Sequence, residues 1–155
     1  MRLTLLVLLL TLASGAQAAP DIPMGGQVGS PQPTTLEGLA ADLRSETPAR
    51  RGYAVRELKR RLKATRRTLE RKRPGTIEHD EARVDRADQL RHVGPPAAGC
   101  VERYPGQRAN CAVLLEILAD PTWRGALERT LPEARGKAKK RIEDALAAIE
   151  AREAR

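Results

Sequence analysis

The sequence predicts an all-α fold, and three observations carry that prediction. The chain has 155 residues with no Phe, one Trp and two Tyr, too few aromatic groups to furnish the faces of a β-sandwich or barrel. Charged side chains make up 31% of it, so any core must come from Leu, Ala, Val and Ile. Those apolar residues recur at intervals of three and four between helix-capping signals. The length suits one domain of modest core.

The elements follow in chain order. Met1-Arg2 precedes an apolar run, Leu3 to Leu12, and a small-residue stretch ending in the A-x-A pattern Ala16-Gln17-Ala18. A positive start, a short apolar run and such a site are the marks of a secretory signal peptide. The run has about half of the roughly 20 residues needed to span a bilayer. Residues 1–18 are therefore expected to be removed near Ala18, leaving a secreted or periplasmic protein. Residues 19–33 hold four prolines and three glycines, a composition that reads as a disordered leader.

One helical domain is expected over 34–155. Thr34-Thr35-Leu36-Glu37 reads as a capping box, followed by Leu36, Leu39, Ala40 and Leu43 on one face. Thr47-Pro48 starts a second helix that runs to about Lys72 with Val55, Leu58, Leu62, Thr65 and Leu69 inward. Thr76 caps a weaker third, carrying Ile77, Val84, Ala87 and Leu90, which Gly94-Pro95-Pro96 is expected to end. A fourth, about 109–119, is almost wholly apolar and should be central. Asp120-Pro121 caps a fifth with Trp123, Leu127 and Leu131. The last, about 133–152, aligns Ala134, Ala138, Ile142, Ala145, Leu146 and Ile149.

Cys100 and Cys111 are the only cysteines. Export places them in an oxidising compartment, where a structural disulfide across a turn containing Pro105 and Gly106 is expected. Ten intervening residues are far from the C-x-x-C spacing of a redox-active pair.

Two helix junctions resemble each other. Thr47-Pro48-x-x-Arg51 and Asp120-Pro121-x-Trp123-Arg124 each place an Arg three residues after the proline, an apolar residue at the sixth and a Leu at the tenth. One intervening unit would make the period about 36 residues. The Asp-Pro-x-Trp-Arg stretch and its copy resemble the junction between paired helices of HEAT-like repeats, over most of residues 36–152. The resemblance implies a short stack of about three helix pairs, a non-catalytic protein-binding role, and structural work for Arg51 and Arg124 at the turns. Residues 77–108 depart from the pattern, and a plain helical bundle with two similar capped turns is the alternative.

The basic charge is local. Residues 50–73 hold 12 basic side chains against Glu57 and Glu70, a larger excess than the net +8 of the whole chain. At 100° per residue, Arg56, Arg60, Lys63, Arg67 and Arg71 stack opposite the Leu stripe, with Tyr53 nearby, in a row roughly 22 Å long. Such a row repels itself mildly. Relief can come from Asp42, Glu46, Glu78, Asp80, Glu81, Asp85 or Asp88 within the chain, from solvent, or from an acidic partner. The partner expected is an unidentified protein; the alternative is an extracytoplasmic polyanion or envelope surface, such as anionic lipid headgroups or a glycan, with peripheral membrane contact at most. Export and the lack of stacking aromatics argue against nucleic acid.

No catalytic constellation emerges. Ser30 and Ser45 lie outside any G-x-S-x-G context. His79 and His92 sit about 140° apart on a helical wheel, which prevents a shared ligand. Asp85 and Asp88 read as a solvated face. No enzyme activity, metal or cofactor is expected.

Overall fold

The computed structural model describes residues 35–154; the expected signal peptide, the leader and Thr34 lie outside these described residues. Among them the chain is all-helical, with six α-helices: α1 Leu36–Asp42, α2 Pro48–Arg71, α3 Ile77–Arg103, α4 Arg108–Leu118, α5 Arg124–Thr130 and α6 Gly136–Glu153. Short 3₁₀ turns, Pro121–Trp123 and Leu131–Glu133, bracket α5. No helix among the described residues is long and apolar enough to cross a membrane.

The starts of these helices follow from their caps. Thr35 Oγ1 accepts from the Gly38 N–H at 3.1 Å, so Thr35, not Thr34, caps α1, which places Glu37 one residue short of a capping box. Pro48 opens α2 without a side-chain cap, its fixed φ suiting the first helical turn. Between α2 and α3 the chain turns at Gly75, whose φ of +84° lies in the left-handed region that glycine enters without steric cost. Thr76 then caps α3, and Asp120 accepts from the Thr122 N–H at 3.1 Å to start the turn before α5.

Helix α4 is the hub. It packs on α2, α3 and α6, and Cys111, Ala112, Leu114, Leu115, Ile117 and Leu118 are all buried. Leu58 and Leu62 of α2, Val93 and Val101 of α3, Leu127 of α5, and Ile142 and Ile149 of α6 join them in one continuous core, against which Trp123 also packs. The apolar run of α4 is buried because neighbours cover it on several sides.

Helix α3 corrects two expectations. It does not end at Gly94-Pro95-Pro96 but continues to Arg103. A proline costs a helix one hydrogen bond and a clash with the carbonyl four residues back. Here the packing on both sides of the prolines outweighs that cost: Val93, Gly94, Pro96, Ala97, Ala98, Cys100 and Val101 are all buried. Gly94 contributes by having no side chain, since a Cβ there would stand 2.3 Å from Cζ2 of Trp123. The second correction concerns the inward face. Ile77 and Val84 are 77% and 63% exposed, and Ala87 is exposed as well. The stripe facing the protein is Ala82, Arg86, Gln89 and Val93, with Gln89 donating to Thr65 Oγ1 at 2.7 Å inside the α2–α3 contact.

The consequence for the cysteines is that each stands within a helix and the turn between them is shorter than their spacing. Cys100 stands on α3 and Cys111 on α4, joined as a disulfide with Cα atoms 6.0 Å apart, and only Tyr104–Gln107 separates the two helices. At the other end, α6 begins at Gly136, later than the expected 133, because Leu131–Glu133 forms a 3₁₀ turn and Ala134 is buried in extended backbone.

Candidate functional site

The outer face of α2 carries a dense set of exposed basic side chains. Its inner face buries Arg51, Ala54, Val55, Leu58, Leu62 and Thr65, which fixes the rotation of the helix. Arg56, Arg60, Lys63, Arg67 and Arg71 are all exposed in consequence. Arg60 is held by Glu57, with Nε donating at 2.9 Å and Nη2 at 2.6 Å. Arg61 donates to the same carboxylate at 2.9 Å. The two guanidiniums, Arg60 foremost, hold the Glu57 carboxyl far below its usual range, at about 2.

The other four members of the row have no ion-pair partner among the described residues. The acidic groups of the neighbouring segments are otherwise placed. Glu46 accepts from Arg103 at 3.0 Å and from the Tyr104 hydroxyl at 3.3 Å; Glu78 pairs with Lys72 at 3.3 Å; Asp80 lies 3.6 Å from His79. Asp42, Glu81, Asp85 and Asp88 make no ion pair with the row. Arg56, Lys63, Arg67 and Arg71 thus form an uncompensated line at helical spacing, with Tyr53 half-buried near its start.

The junction residues are more enclosed. Arg51 is 7% exposed; it donates to the Ser45 carbonyl, and its guanidinium carbon lies 3.9 Å from the centre of the Tyr104 ring, a cation–π contact. Tyr104 in turn donates to the Arg44 carbonyl at 3.0 Å, so this turn is tied to the end of α3. Pro48 is exposed at the start of α2. At the second junction Asp120 caps, Pro121 opens the 3₁₀ turn, Trp123 lies on Gly94, and Arg124 pairs with Glu153 near the end of α6.

Sequence reasoning missed a third cluster, at the C-terminal end of α4. Ala119 closes that helix in the left-handed conformation, φ 43°, and leaves carbonyls without intrahelical partners. Arg86 donates to the carbonyls of Ile117, at 3.2 Å, and Leu118. Arg152 donates to those of Leu118, at 3.2 Å, and Ala119, at 3.1 Å. Two cations on the negative end of a helix are a favourable arrangement. The available signal was the spacing of Ala82, Arg86, Gln89 and Val93, which marks one helix face; two polar members hid it from a search for apolar repeats.

His79 and His92 do not meet. His79 faces Asp80, while His92 lies 3.9 Å from Glu37. Among the described residues no group of three or more His, Cys, Asp or Glu side chains is placed to hold a metal ion. Comparison with known proteins finds no matching family model, no matching curated protein and no matching solved structure.

Proposed function

We propose that this is an exported, non-catalytic interaction module that holds an acidic partner protein on the outer face of α2. The observation carrying the proposal is the exposure of Arg56, Lys63, Arg67 and Arg71 with no carboxylate paired to any of them among the described residues. Like charges three and four residues apart destabilise a helix slightly, and an acidic surface laid along them would remove that repulsion and steer its own approach. Export is supported by the Cys100–Cys111 disulfide, a bond that persists in oxidising compartments.

We read the arrangement of the helices as a short HEAT-like stack of about three helix pairs, with a plain bundle as the alternative. In a stack each helix pair touches its neighbours, and here α3 packs on α1 and α5 while α4 packs on α2 and α6, which supports that reading.

The test is a pull-down of the tagged protein from its native fluid or envelope, alongside Lys63→Glu/Arg67→Glu. An acidic protein recovered by the unaltered chain and lost by the variant supports the proposal. A second reading, binding of a polyanion or anionic headgroup, rests on the same row. Retention on heparin well beyond physiological salt, falling steeply as salt rises, with only lipid or glycan recovered, would replace the first reading with the second.

A further inference from the structure

A cleft of about 440 Å³ opens over the C-terminal end of α4, between the second half of α2 and the end of α6. Its walls are apolar where they meet: Leu69 from α2, Ile117 from α4, and Ala148 and Ala151 from α6. Arg66, Arg86 and Arg152 line the same space. The charges there do not balance. Arg66 pairs with Glu70 at 2.7 Å, Arg152 lies 3.9 Å from Asp120, and Glu116, which lines the cleft together with Glu70, lies 3.7 Å from Arg141. Arg86 alone has no carboxylate within ion-pair distance among the described residues. Its charge rests on the two α4 carbonyls, which do not use all the N–H donors of a guanidinium. Burial and the nearby positive charges of Arg152 and Arg66, only partly offset by Asp120, lower its pKa to about 10, so it stays charged at neutral pH while being incompletely compensated.

We propose that this cleft binds a small organic monoanion, a carboxylate carried on a short hydrocarbon body. The carboxylate would accept from Arg86, with Arg152 beside it. The hydrocarbon would cover Leu69, Ile117, Ala148 and Ala151. One surplus cation matches one negative charge. The apolar walls disfavour a bare inorganic anion, because desolvating such an ion without enclosing donors costs more than one guanidinium returns. This site is separate in its residues from the row on the outer face of α2, so it stands or falls independently of that surface.

The experiment is a methyl-detected NMR titration of the disulfide-intact protein with octanoate, using 1-octanol and acetate as controls. Octanoate should shift the methyl signals of Leu69, Ile117, Ala148 and Ala151 together and saturably. It should bind about tenfold or more tightly than either control, the difference expected when charge and apolar burial act jointly. Because Arg86→Gln also withdraws donors from the α4 carbonyls, Ala151→Trp supplies a second arm that fills the cleft from an exposed position; both variants should lose octanoate binding. Equal binding of octanol would overturn the role of Arg86. Shifts scattered over the surface, or octanoate binding undiminished by Ala151→Trp, would overturn the site itself.

Discussion

Helices α2 and α3 are of similar length and lie side by side, yet they are held in opposite ways. Helix α2 buries a single stripe from Arg51 to Thr65 and, Arg51 apart, turns its row of basic side chains outward. Helix α3 is divided at its prolines. Beyond them Ala97, Cys100 and Val101 are buried where α1, α4 and α5 pack on the helix; before them Ile77 and Val84 stand in solvent and the buried side chains are the narrow stripe of Ala82, Gln89 and Val93. An amphipathic helix is stabilised evenly by the face it buries. One enclosed at a single end is stabilised there, and the remainder follows by helix propagation.

The largest effect that would sharpen this contrast is a paired truncation. Leu58→Ala removes a side chain with no exposed surface and should cost about 2–5 kcal/mol. Val84→Ala, at a site 63% exposed, should leave the denaturation midpoint within experimental error. Equal losses at the two positions would mean that the outer half of α3 is covered in solution, and the contrast would fail. Next comes the staple. Cys100→Ser opens the link between α3 and α4 and should cost about 3 kcal/mol on the loop-entropy account. In hydrogen exchange the residues after Pro96 should lose protection first, while Leu58 and Leu62 keep theirs. Uniform loss along α2 would show that the two helices do not differ in how they are secured.

These expectations separate what could be foreseen from the residues and what could not. The α2 stripe was legible because the residues that pack are apolar and recur regularly, and the outward row is its geometric complement. The caps at Thr76 and Asp120 were legible because their bonds span two or three residues. The course of α3 was not. Its inward face includes Arg86 and Gln89, whose partners lie 31 and 24 residues away, and polar residues read as outward unless those partners are known. The local rule for tandem prolines was overridden by packing that the disulfide and α4 supply. The cleft over α4 was hidden for the same reason: Arg66, Arg86 and Arg152 come from three helices.

A smaller effect is expected at the boundary between the two halves of α3. Gly94→Ala should improve helix propensity by about 1 kcal/mol, but the added Cβ would stand 2.3 Å from the Trp123 ring. The indole must move, and overpacking of this kind costs about 1–3 kcal/mol. The net result is a loss of about 1 kcal/mol, seen as a lower urea midpoint. With Trp123→Ala in the background, Gly94→Ala should become neutral or stabilising. A loss that persists without the indole would place the constraint in the backbone at the prolines instead.

The slightest effects belong to the outer face of α2, where the row itself contains an internal control. Arg67 is uncompensated, so Arg67→Ala should leave stability unchanged or raise it by a few tenths of a kcal/mol. Arg60 is paired, and the pair reports through its carboxylate. Glu57 titrates at about 2 against an ordinary 4.5, so its folded-state pKa is depressed. The contribution of the pair is therefore present above 4.5 and lost as pH falls from there toward 2. Glu57 is partly exposed at the surface of α2, where water screens the contribution to a small one, but the titration itself is directly visible in the carboxyl carbon signal. Arg60→Gln should move its midpoint upward only part of the way, because Arg61 continues to donate to the same oxygen. A midpoint near 4.5 in the unaltered protein would mean that Arg60 is as uncompensated as its four neighbours, and that the row presents five free charges rather than four.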